Sequence, residues 1–175
     1  MALRPPQSHE ILRPARPGFI ALTLAAALFA NLLPWTGAAL LIKPDFLAVI
    51  LLYWCVREPR KIGFAVAWLL GLTMDIGNAT LFGQHALAYT LLAYAGVTLH
   101  RRVERFTIAQ QTLQVVPMLL LVQVATLLVR MAAGADFPGL LYFSGSLTGA
   151  ALWPLLSTLL PLPQRPKASP DQPAI

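Results

Sequence analysis

Charge is what this sequence has least of. Asp, Glu, Lys and Arg together make up 11% of its 175 residues, against about a quarter in an ordinary soluble domain. With 57% hydrophobic residues and a mean hydropathy of +0.66, and no polar stretch between the apolar runs long enough to fold alone, a soluble module is excluded. Cysteine is almost missing too. The single Cys55 lies in an apolar run, so no intrachain disulfide can form and the residue reads as small apolar filler. Seven acids and three histidines form no HExxH, no paired carboxylates and no metal-ligand spacing, and no GxSxG elbow is present. The usual routes to catalysis are therefore closed, and neither enzyme activity nor a cofactor or metal is expected. The thirteen basic residues give a net charge of +6, but they sit in short clusters between apolar runs and form no stripe. That pattern excludes nucleic acid as a partner.

What is there in abundance is long apolar sequence. Six runs, at 18–36, 38–56, 62–77, 85–100, 107–133 and 138–160, predict an all-α integral membrane protein, a compact bundle of about six transmembrane helices over 18–160. The Pro-rich basic segment 1–17 and the polar segment 161–175 read as disordered tails. Arg4, Arg13 and Arg16 before the first run, with Gly37-Ala38-Ala39 after it, resemble a signal peptide. The five further runs favour an uncleaved first span. Fifteen helical residues rise only ~22 Å against a hydrocarbon core of ~30 Å, so the shorter runs need mutual shielding in a tight bundle. Eleven of the thirteen basic residues fall in alternate connections, which puts both termini in the cytoplasm by the positive-inside rule. Arg57, Arg60 and Lys61, and Arg101, Arg102 and Arg105, become cytoplasmic basic turns expected to touch anionic headgroups.

The third run carries Gly63, Ala67, Gly71 and Asp75 at four-residue spacing, three small residues and one carboxylate on a single helix face. Gly145 and Gly149 repeat the small-residue theme as GxxxG. Both are candidate helix-packing or partner faces. Asp75 falls near a helix C-terminus, where the dipole disfavours a negative charge, so something must compensate it. The open alternatives are the turn amides of Ile76 to Asn78, a pair with Arg130 or His85, or a partner or ligand on the outer side. Asp75 and Arg130 are the candidate outer polar contacts. Asp45, following Pro44, is placed to cap the second helix. Gln123, Thr126 and Arg130, at offsets of three and seven, form one polar stripe that must face protein.

Taken in order, Pro34-Trp35, Lys43-Pro44-Asp45, Leu51-Leu52-Tyr53-Trp54 with Pro59, Gly71-xxx-Asp75-x-Gly77-xxx-Leu81-x-Gly83, Ala93-Tyr94, Gln110-Gln111 and Leu152-Trp153-Pro154 resemble the rod shape-determining protein MreD family, over roughly 19–160. The resemblance implies a non-enzymatic subunit of the bacterial elongation machinery in the inner membrane. On that footing its partners would be MreC above all, then the complex of MreB filaments, RodA and its transpeptidase, with membrane lipid around them. It also implies a helical arrangement similar to the substrate-binding subunits of energy-coupling-factor transporters. A small-molecule or lipid-binding subunit of a transport system is the alternative, with Asp75, Gln84, His85 or Arg130 lining an outward pocket.

Overall fold

The computed structural model describes residues 14–37 and 42–164. Among these residues the chain forms α1 (Pro17–Leu32), α2 (Phe46–Arg57), α3 (Phe64–Gly77), α4 (Gln84–Glu104), α5 (Ile108–Ala132) and α6 (Ser144–Leu159), with short 3-10 turns at Leu140–Phe143 and Leu162–Gln164 and no strand. The protein is an all-α membrane protein. Helix α5 and the stretch Leu140–Gln164 are long and apolar enough to cross a membrane, while α1, α2 and α3 are shorter apolar helices.

The bundle is built around α2. Every residue from Leu47 to Val56 is buried, as a helix apolar on all sides must be if protein surrounds it. Helices α1, α4, α5 and α6 all pack on it, with α3 closing the outer row between α1 and α4. Twelve residues rise only ~18 Å, well short of a ~30 Å hydrocarbon core. Enclosure by neighbours removes the need for α2 to match the bilayer by itself. Its start is chemical: Pro44 brings no N–H, and the Asp45 carboxylate accepts the Ala48 amide at 3.0 Å, satisfying one of the orphan donors of the first turn. That cap places the helix start at Phe46, later than the apolar run alone suggests. Pro59 follows just beyond its end, after Glu58.

Small residues set the closest approaches. A Cβ added at Gly71 would lie 2.6 Å from the carbonyl carbon of His85, inside the backbone of α4. At Gly96 it would meet the Cys55 Cβ at 2.8 Å, and at Gly145 the Lys43 carbonyl oxygen at 2.8 Å. Gly149 faces Leu119 and Val49. Ala67 is buried, but Gly63 stands in open space as the N-cap of α3. The small-residue faces expected as packing or partner surfaces are thus spent largely on packing within the chain, in which Gly63 takes no part. Outward positions such as Leu22, Phe29, Leu69, Leu113, Leu128 and Leu147 are exposed, which suits a lipid-facing surface.

Of the expected N-terminal tail, 1–17, residues 14–17 are described: Pro17 opens α1 and Ala15 is held in place. Its amide donates to Glu58 Oε1 at 2.7 Å, and its carbonyl accepts Lys61 Nζ at 2.6 Å. The rest of that tail with Arg4 and Arg13, Ala38 and Ala39 of the signal-like segment, and the C-terminal tail from residue 165 lie outside the described residues.

Candidate functional site

At the end of the bundle where α2 begins, two carboxylates organise the ends of four helices. Asp45 takes the Ala48 amide, the Asn31 side-chain amide from α1 at 2.7 Å, and the Tyr89 hydroxyl from α4 at 2.9 Å. Asn31 also accepts the Phe46 amide at 3.0 Å. One half-buried acid therefore ties α1, α2 and α4 together through charge-assisted hydrogen bonds.

Asp75 plays the same part between α3 and α4. Its carboxylate accepts the Gly83 amide at 2.8 Å, the His85 amide at 2.9 Å and the His85 Nδ1 at 2.7 Å, with the Thr80 hydroxyl at 3.2 Å. The charge that looked misplaced at the C-terminus of α3 lies against the N-terminus of α4, where orphan amides and the dipole favour it. Gly83 adopts φ +97°, a left-handed conformation that glycine accepts without strain, and this turns its amide toward Asp75. Of the compensations open to Asp75, the structure makes the one with His85. Arg130 is not its partner, and the amides engaged belong to the start of α4, not to Ile76–Asn78.

A cavity of about 330 Å³ opens beside these groups, lined among others by Lys43, Asp45, Gln84, His85, Gln123 and Arg130. Three of the four residues named from sequence for an outward pocket line it, and Asp75 stands behind His85. A second cavity of about 390 Å³ adjoins it across Thr80, Gln84 and Arg130. Lys43 donates to the Asn31 carbonyl at 2.5 Å and lies 5.9 Å from the Trp35 ring. Burial holds its ammonium below the ordinary lysine range, with the Asp45 charge acting in the opposite sense. The stripe on α5 divides: Gln123 bonds Ser146 and the Tyr142 carbonyl, Thr126 bonds the Tyr142 hydroxyl, and Arg130 is exposed at the cavity mouth. Asn31, Tyr89 and Tyr142 were not singled out from sequence. An asparagine in an apolar run was the one signal that could have found Asn31.

The opposite end is different in kind. Arg57 lies 3.7 Å from Glu104, and Lys61 lies 3.4 Å from Glu58. Arg60, Arg101, Arg102 and Arg105 are exposed and, among the described residues, have no carboxylate within ion-pair reach. Nearby, two pieces of the sequence pattern meet, since Trp153 Nε1 donates to Gln111 Oε1 at 3.1 Å. Trp54 Nε1 donates to the Thr23 hydroxyl at 2.9 Å, tying α2 to α1. No three His, Cys, Asp or Glu side chains gather as a metal set among the described residues.

Fold and site together define a class: an all-helical membrane protein in which two acids, Asp45 and Asp75, hold helices to one another. Residues 15–162 match the family of the rod shape-determining protein MreD. Over 134 residues the chain is 27% identical to the rod shape-determining protein MreD of Haemophilus influenzae, a span covering 77% of this chain and 83% of that relative. No solved structure matches it. The chain belongs to the MreD family, a family of shape-determining proteins and not a known family of enzymes.

Proposed function

We propose that this protein is a non-enzymatic, multi-pass scaffold of the bacterial inner membrane that takes part in determining rod shape. In this reading it binds MreC and helps couple MreB filaments to lateral peptidoglycan synthesis by RodA and its transpeptidase. Both termini and the basic turns face the cytoplasm, and the Asp45 end faces outward. The family match over 15–162 carries the proposal. The segregation of charge supports its orientation, since all the exposed arginines among the described residues except Arg130 cluster at one end of the bundle. Asp45 and Asp75 at the other end are each engaged by several protein donors, which suits a structural part better than an acid–base one.

With Gly71, Gly145 and Gly149 packed inside the chain, a partner helix would dock on the lipid-facing surface instead. Depletion in the host bacterium, with cell shape scored alongside MreC recovered on the tagged protein, tests the proposal. Rounded cells and captured MreC are expected. Rods of normal shape from which no MreC is recovered would sink it.

A further inference from the structure

The polar end has spent its acids but not its donors. Asp45 and Asp75 are each surrounded by protein amides and hydroxyls. Gln84 is the reverse case. It is 3% exposed, it lines both cavities, and among the described residues its side-chain amide has no hydrogen-bond partner. Its amide keeps access to the open space of the two cavities instead of packing against protein atoms, so it is available to a ligand that enters there. Arg130 lines the same two cavities, and no carboxylate lies within ion-pair distance of it among the described residues. Lys43 lines the first of the two cavities with one bond made, and an ammonium has three protons to give.

What remains unmatched is therefore a guanidinium, part of an ammonium and an amide whose NH2 can donate, around about 330 Å³, a volume at the lower end of ligand pockets. A complementary ligand must bring acceptors and negative charge. Three donor groups of this kind match a phosphate, whose several oxygens take a forked guanidinium and a point-like ammonium at once. We propose that this cavity is a binding site for a phosphate group, with Arg130 as its anchor, Gln84 as the group that reads it inside the cavity, and Lys43 in support. The inference is independent of the scaffold function. The same phosphate chemistry is offered by a phospholipid headgroup entering from the membrane and by a soluble phosphate ester entering from water.

The full-length chain, purified in neutral detergent, is tested with two probes that share a headgroup. Glycerol phosphate is titrated by calorimetry, and phosphatidylglycerol is offered in mixed micelles with phosphatidylcholine, with lipid retained on the protein read by native mass spectrometry. Saturable binding is expected in at least one arm, and the arm that binds names the source. It should weaken about tenfold or more in Arg130→Gln and severalfold in Gln84→Ala, while Arg16→Gln at the far end of the bundle binds like wild type. Thermal unfolding of each variant verifies that the bundle is intact, and Arg130→Lys, which keeps the charge but loses the fork, should fall between. No saturable binding in either arm overturns the site. So does equal loss in Arg16→Gln, or a loss in Arg130→Gln with none in Gln84→Ala, since either would mark surface charge acting without the cavity.

Discussion

The two ends of this bundle handle charge in opposite ways. At one, Asp45 and Asp75 are engaged by donors from three other elements, and Asp75 is 1% exposed. At the other, Arg57 and Glu104 share a loose contact at 3.7 Å, and most of the arginines stand exposed with no acid beside them. A buried carboxylate is held only if every lone pair finds a donor, so it dictates where neighbouring helices must be. An exposed cation dictates nothing about packing and is free to act on the membrane surface. The first end specifies the architecture, and in the proposed reading the second orients it in the membrane.

The comparison breaks most severely at Asp45. Asp45→Ala strands the Tyr89 hydroxyl, the Asn31 amide and the Ala48 amide together, and a loss of about 3–5 kcal/mol is expected. Thermal unfolding of the detergent-purified protein, followed by tryptophan fluorescence, measures it. A loss below about 1 kcal/mol would mean that water replaces the acid and that this end is not an organising centre. Next in size comes Gly71→Ala, which forces α3 away from the α4 backbone at about 1–3 kcal/mol. The same unfolding assay reads it beside MreC recovery. Unchanged stability with lost recovery would return this face to the surface as a partner site.

Much of this was legible from residues alone, and the limits have physical causes. The apolar runs placed six helices, because burial in lipid or protein demands apolar sequence whichever it is. That same indifference hid which helix is central: nothing in the composition of α2 separates it from α1, and only the structure shows it enclosed on all sides. The Asp45 cap was readable since its partner lies three residues away. The Asp75 partners lie five to eleven residues away across a turn, and the bond from Tyr89 to Asp45 spans 44 residues, distances at which a sequence offers candidates but no geometry. Small-residue spacing announced close approach, though not whether the approaching helix belongs to this chain or another. The further close contact at Gly96 had no motif to announce it.

The basic end sharpens the contrast from the weak side. Glu104→Gln removes the carboxylate that Arg57 approaches. Both side chains keep about a third of their surface, at 32% and 39%, so solvent and salt screen the pair, and a change of no more than about 0.5 kcal/mol is expected in the same unfolding assay. The orientation signal should meanwhile stay as it is, because the arginines are kept and acids contribute little to it. A loss above about 2 kcal/mol would show that this end also fixes helix positions through charge, and the division between an architectural end and an orienting end would fail there.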